Sequence, residues 1–225
     1  MCNSLNIGFK LYNFEEDVTT EEIISLIEKL NKDETTGILL QLPIPKHLDE
    51  QKILDTIDYR KDIDGLTSIN TTSLYLNKPG IVPCTPKGIL TILKKYHIDL
   101  EGKNVVIVGR SSIVGKPLFN AMINQNATVT LCHSKTKNLK EHTLNADIIV
   151  TDIGKPHIIT KEYIKEGSIV IDAGISRLDG KVVGDVDFEN VKDLTSYITP
   201  VPGGVGPMTI ASLAENIVEA KELQK

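Results

Sequence analysis

The sequence predicts an α/β fold whose larger part is a doubly wound parallel sheet, and three observations carry that expectation. Short apolar, β-branched runs recur at 104–108, 128–132, 147–151 and 168–173, with apolar residues at helical spacing after the first three. Within this rhythm Lys103–Gly115, KNVVIVGRSSIVG, reads as a buried strand, a glycine turn and the start of a helix. A separate strand–helix pattern precedes it, and 225 residues suffice for one large core or two small ones.

The elements follow in chain order. Leu5, Ile7, Phe9 and Leu11 alternate as in a strand, although no complete element surrounds them. Thr19-x-x-Glu22 is a capping box and opens a helix with the stripe Ile23, Ile27 and Leu30. Gly37–Pro43, GILLQLP, then reads as a buried strand ended by proline. Gln41 is its one polar residue, either a satisfied amide at a strand end or a functional group. A helix carrying Ile53, Leu54 and Ile57 follows, and then the acidic loop Lys61-Asp62-Ile63-Asp64-Gly65. Two carboxylates around one apolar residue can meet a metal, but no further ligand stands nearby. Spacing alone favours a solvated turn. In Val82-Pro83-Cys84-Thr85-Pro86, Thr85 can cap and Pro86 suits the first turn of a helix. That helix is expected to run to about Tyr96 and to connect two domains.

From Leu100 the βα rhythm is regular, and a short strand at 196–199 would complete the sheet. Asp179-Gly180 between Arg177 and Val182 marks a hairpin. Right-handed crossovers place a ligand at the carboxyl ends of the strands. The turn Gly109-Arg110-Ser111-Ser112 leaves free N–H groups at a helix start, the makings of a phosphate site. Its glycines are spaced G-x-x-x-x-x-G, a variant of the dinucleotide fingerprint, and an ordinary strand–helix turn would look similar. An NAD site usually places an acid roughly 20 residues after the glycines. Here that place holds Cys132-His133-Ser134-Lys135-Thr136, with no acid. Arg110 and Ser134 instead suit a 2′-phosphate, so NADP is favoured over NAD. Asp172-Ala173-Gly174-Ile175 closes the fourth strand, where the nicotinamide half should lie. His133 and His157 read as surface or hydrogen-bonded residues.

Thr199–Thr209, TPVPGGVGPMT, holds too much proline and glycine for regular structure and runs into a helix over about 208–223. Such a loop between domains lines a site more readily than it merely links them. Composition adds exclusions. A net charge of −5 argues against nucleic acid or an anionic membrane as partner, and no apolar run reaches the ~18 residues that span a bilayer. Three scattered cysteines, Cys2, Cys84 and Cys132, form no metal or disulfide framework. They suit a reducing compartment, read as the cytoplasm with an organelle left open.

With these pieces placed, the chain resembles the bifunctional methylenetetrahydrofolate dehydrogenase/methenyltetrahydrofolate cyclohydrolase family. The matching stretches are GILLQLPIPKH (37–47), KDIDGLTSIN (61–70), PCTPKGI (83–89), VVIVGRSSIVGKP (105–117), ATVTLCHSKT (127–136) and ITPVPGGVGPMT (198–209). The resemblance implies an enzyme of one-carbon metabolism that passes a hydride from methylenetetrahydrofolate to NADP and hydrolyses the methenyl product to formyltetrahydrofolate. It implies a folate-binding α/β domain over 1–84, completed by a helix at 206–225. A connecting helix at 85–99 leads to a Rossmann-like NADP domain at 100–205. By position, the catalytic residues would be Gln41, the amide near the reacting carbon between Leu40 and Leu42, and Asp64, which would bind the pterin ring. Pro202, Gly203, Gly204 and Val205, then Gly206, Pro207, Met208, Thr209 and Ile210, would wall the folate site. Gly109, Arg110, Ser111, Ser134 and Ile175 would hold NADP. A homodimer through the nucleotide domains is implied, and no metal.

Two departures from the family stand out. Asp152 occupies a position where the family has a small or apolar residue, beside the cofactor, and its charge is expected to weaken NADP binding. The family's general base, a lysine in a Tyr-x-x-x-Lys helix, falls before residue 1 in this register, with the first strand of the folate domain. On that count the chain as it stands is expected to lack hydrolase activity and to have little or no dehydrogenase activity while still holding NADP, with a non-catalytic NADP-binding remnant as the alternative reading.

Overall fold

The structure, a computed structural model, describes residues 2–225. Cys2–Leu5 forms a short 3-10 turn, and the alternation that follows makes no strand. Leu5, Phe9 and Leu11 are exposed, and no strand lies beside them among the described residues, so there is nothing to pair with. Helix α1 (Thr20–Lys32) begins at the expected capping box. Thr19 Oγ1 accepts Glu22 N at 3.3 Å, and Glu22 Oε2 accepts Thr19 N at 2.8 Å. Ile23 and Ile27 pack with Ile53 and Leu54 of α2 (Glu50–Thr56), and with Leu48, Ile57 and Leu66, into the first core.

Gly37–Pro43 does not form the expected strand. It makes a single parallel bridge, Ile38 against Asp62, with Ile38 N donating to Lys61 O at 2.7 Å and Ile63 N to Ile38 O at 3.4 Å. The partner turns away at Gly65 (φ +71°), so the ladder has no second step. Helix α3 (Ser68–Tyr75), which the sequence pattern missed, is capped by Thr67, whose hydroxyl accepts Asn70 N at 3.3 Å. Helix α4 (Cys84–Lys95) starts after Pro83 with no side-chain cap. Thr85 lies inside the first turn and meets the Thr209 hydroxyl at 3.0 Å instead.

The sheet follows expectation closely. The chain runs through β1 (Asn104–Val108), α5 (Gly115–Ile123), β2 (Thr128–Cys132), α6 (Leu139–Thr143), β3 (Ile148–Thr151) and β4 (Ile169–Asp172). The hairpin β5 (Ser176–Leu178) and β6 (Lys181–Val183) comes next, then α7 (Phe188–Val191), β7 (Tyr197–Ile198) and α8 (Val205–Leu223). The five long-sheet strands pair in parallel in the order β2-β1-β3-β4-β7. After β3 the expected helix is only a 3-10 turn at Lys161–Tyr163. Ile159 is there held in a bridge to Val186, which a helix could not make.

Alternation along the strands sorts two cores. Val105 and Ile107 face Leu118 and Met122 of α5, Ile89 and Leu93 of α4, and Val205 of α8. Val106 and Val108 face Ile159, Ile164, Val186 and Val191. Gly88 lets α4 and α8 close together, since a Cβ there would stand 3.0–3.1 Å from Met208. Helix α8 begins at Val205, ahead of the expected start. Gly206 and Pro207 fall in its first turn, where a missing N–H costs nothing. Among the described residues no helix is long and apolar enough to cross a membrane.

Candidate active site

The acidic loop is not a solvated turn. Lys61, Asp62 and Ile63 are buried and Asp64 half-buried. Lys61 Nζ reaches the end of α1, donating to Leu30 O and Asp33 O at 2.9 Å each. Asp62 Oδ1 accepts Gly65 N at 2.9 Å, and its Oδ2 accepts Thr67 N at 2.8 Å and Asn70 Nδ2 at 2.9 Å. Both Asp62 oxygens are thus spent on holding the loop. From α8, Asn216 Nδ2 donates to Ile63 O and Val82 O, each at 3.0 Å. Asp64 sits in this frame between buried neighbours. Burial pushes its carboxyl above the usual carboxylate range, the Cys84 thiol pulls it back, and the charge of Asp62 raises it further. The Cys84 thiol is itself pushed far up, first by burial and then by Asp64, so it stays a neutral thiol.

The Ile38–Asp62 bridge lays the segment carrying Leu40, Gln41 and Leu42 beside this loop. Leu40 and Leu42 are half-buried. Gln41 is exposed, and its Nε2 donates to Leu42 O at 3.0 Å. On the far side the proline–glycine loop starts at the sheet, where Thr199 N donates to Val170 O at 3.1 Å and Thr199 Oγ1 accepts Asp172 N at 2.8 Å. It passes a cis Val201–Pro202 bond and enters α8 against α4. Pro202, Gly203, Gly206, Pro207 and Ile210 are exposed, Gly204, Met208 and Thr209 half-buried, and Val205 buried in the core. Val205 therefore supports the loop from inside.

The nucleotide turn lies where β1 is followed by β2 on one side and β3 on the other, the switch point of the sheet. Gly109 has φ +143°, and a Cβ on it would meet Asp152 O at 2.2 Å, so only glycine fits. A Cβ on Gly115 would likewise meet Gly109 O at 2.3 Å. This close backbone cradle and the exposed guanidinium of Arg110 fit a dinucleotide phosphate chain. Ser134 is exposed at the tip of a tight turn after β2, where His133 Nδ1 accepts Lys135 N at 3.1 Å. Ile175 is 67% exposed beyond β4. Ser111 is already engaged, donating to Asp152 Oδ2 at 2.5 Å while its oxygen accepts Val114 N and Gly115 N.

Sequence reasoning missed Asn216 and Asp185, which build these surroundings, and placed Asp172 at the end of the fourth strand without giving its carboxylate a role. Asp172 accepts Gly174 N at 2.9 Å, Val186 N at 2.8 Å, Asp185 N at 3.2 Å and the Thr151 hydroxyl at 3.0 Å. Asp185 accepts Ile153 N at 2.6 Å and Lys155 N at 2.8 Å. The signal was a charged or amide residue where a pattern asks for an apolar or turn residue. No spacing rule reports such long-range partners.

Comparison with known proteins agrees along the whole chain. The family described as "Tetrahydrofolate dehydrogenase/cyclohydrolase, catalytic domain" matches residues 1–64, and the NAD(P)-binding domain of the same family matches residues 83–225. The bifunctional protein FolD of Clostridium novyi is 56% identical over 220 residues, covering 97% of this chain and 79% of that protein. The crystal structure of the FolD dehydrogenase/cyclohydrolase from Campylobacter jejuni superposes with a TM-score of 0.97 at 48% identity, covering 100% of this chain and 80% of that one. The Trypanosoma brucei enzyme, solved with NADP cofactor and an inhibitor, gives 0.93 at 33% identity over 99% of this chain and 79% of that one.

Proposed function

The chain belongs to the tetrahydrofolate dehydrogenase/cyclohydrolase family, and from that premise we propose how its residues divide the two reactions, oxidation of methylenetetrahydrofolate with NADP and hydrolysis of the methenyl product. Asp64 binds the pterin, its carboxylate accepting from the N–H-rich ring edge. Gln41, between Leu40 and Leu42, sets its amide beside the reacting carbon, where it can hold the attacking water in place. The loop from Pro202 to Ile210 walls the folate. Gly109, Arg110, Ser111, Ser134 and Ile175 hold NADP, with Arg110 and Ser134 on the 2′-phosphate, and NADP when bound supplies the hydride acceptor. Residues 1–84 with 206–225 form the folate domain, 85–99 the connecting helix and 100–205 the nucleotide domain. The protein works as a homodimer in a reducing, cytoplasmic setting. The open edge strand β7 and the hairpin, with Tyr197, Leu178 and Val182 exposed, offer the nucleotide domain a face for a second copy.

One observation carries the folate assignment. Asp64 is a half-buried carboxylate in a loop held from α1, α3 and α8 at once, through Lys61, Asp62 and the Ile63 carbonyl, a frame that a solvated turn would not need. A non-catalytic remnant has nothing in its favour, since the catalytic-domain match covers the first 64 residues and the acidic loop is built as firmly as the nucleotide turn. The test is steady-state kinetics of Asp64→Asn. The KM for methylenetetrahydrofolate should rise at least about tenfold, the scale of a hydrogen bond to a charged group, with NADPH affinity unchanged. An unchanged folate KM would remove Asp64 from the site.

A further inference from the structure

Strands β1 and β3 end side by side at the switch point, and the residues that follow them, Gly109 and Asp152, are in backbone contact. The Asp152 side chain turns into the phosphate turn, where its Oδ2 receives the Ser111 hydroxyl at 2.5 Å. Ser111 Oγ in turn accepts Val114 N at 3.0 Å and Gly115 N at 3.1 Å. A hydroxyl has one proton and two lone pairs, so this one has nothing left for a ligand. The two N–H groups are those that the start of α5 would offer an anion. Asp185, fully buried, fixes the backbone behind Asp152 through Ile153 N and Lys155 N, so Asp152 cannot drift out of the turn with its loop. Burial pushes the Asp152 carboxyl up, Ser111 opposes this, and the charge of Asp185 adds to it.

We propose that Asp152 sets the affinity for the dinucleotide: its carboxylate is a built-in anion seated where the diphosphate must lie, and NADP reaches Ser111 and the first turn of α5 only by displacing it. The inference rests on the assignment of this turn to NADP. The 2′-phosphate end, at Arg110 and Ser134, is untouched by the contact. Asp152 therefore penalises ligands that carry a diphosphate and not those that carry a 2′-phosphate alone. Asp152→Asn takes away a like charge while its amide oxygen can still accept the Ser111 hydroxyl, and Asp152→Ala also frees that proton for the ligand.

The experiment is titration of the full chain and of Asp152→Asn and Asp152→Ala with NADPH, followed by nucleotide fluorescence, and with adenosine 2′-monophosphate by calorimetry. NADPH should bind on the order of tenfold tighter to both variants, the value of one charge-assisted hydrogen bond, and adenosine 2′-monophosphate equally to all three proteins. NADPH affinity that is unchanged or weaker overturns the proposal, and so does an equal gain for both ligands, which would mean a general field. Should Asp152→Asn not fold, Asp152→Ala, which adds no polar atom to the turn, decides the matter. If the unaltered chain and both variants all fail to bind NADPH, the assignment of the turn falls and the proposal with it. Binding by the unaltered chain without a gain in the variants sinks the proposal alone.

Discussion

Asn216 has no exposed surface and four partners: Ile63 O, Val82 O, the Cys84 sulfur and the Lys87 ammonium. One amide on the last helix thus fixes the carbonyl just before Asp64. Asn216→Ala would take its amide from two buried carbonyls, leaving Ile63 O only the Cys84 thiol at 3.5 Å, while the Lys87 ammonium keeps Glu219. It should cost about 3 kcal/mol, read as a lower melting temperature, and raise the folate KM with NADPH affinity unchanged. If both melting temperature and folate KM hold, the tie does not position Asp64. A second residue-scale effect follows pH. The Asp152 carboxyl lies above its ordinary value of 3.8, so the folded chain holds that proton more firmly than the unfolded one. The stability this gives is whole below 3.8 and is lost as pH rises through the folded value. Asp152→Asn should therefore raise the melting temperature near neutral pH, and the gain should vanish as pH falls toward 3.8. An equal gain at every pH would mean that packing is responsible. At this scale the sequence was half legible. The motif DID stood out, but its spacing could not tell that Asp62, and not Asp64, spends its oxygens on the loop. That division depends on N–H groups of Gly65 and Thr67 and on Asn70.

Elements were legible wherever local rules decide them. The capping box at Thr19 and Glu22 is local, and Thr19→Ala should cost about 1 kcal/mol in thermal unfolding, with kinetics untouched. A loss well under half of that would mean that the exposed box is satisfied by water. Strands β1 and β2 fall where the β-branched runs put them, and Asp179-Gly180 makes the hairpin through positive φ at both residues. Expectation failed where a distant partner decides. Gly37–Pro43 has the composition of a strand but one pairing step. Thr85 is of a capping type, yet it spends its hydroxyl on Thr209, 124 positions away. The segment after β3 has helical spacing, yet a bridge to Val186 claims it. The β1–α5 junction is the most constrained turn. Gly109→Ala should cost about 3 kcal/mol through its positive φ and the clash with Asp152 O, and should abolish NADPH binding. Retained NADPH affinity would show that the turn can widen.

For the whole molecule, the α/β class and the two halves could be read from the order of patterns, because a βα repeat can close in few ways. The return of α8 to the first half came from the family resemblance and not from any pattern of residues, since it rests on contacts spanning most of the chain. Dimerisation belongs at this scale too: light scattering at micromolar concentration should give twice the 24.8 kDa of one chain, and a single-chain mass would sink the homodimer. The long reach of α8 has a consequence for how the protein is made. Ile63 O and Val82 O are covered by a side chain 153 and 134 positions further on, and Gln224 closes on Thr36 O and Arg60 O. At ribosomal speeds of roughly 5–20 residues per second, the first half emerges on the order of ten seconds before its last wall exists. The nascent chain must carry an open, wet acidic loop through all of that time, so the part synthesised first is the part completed last.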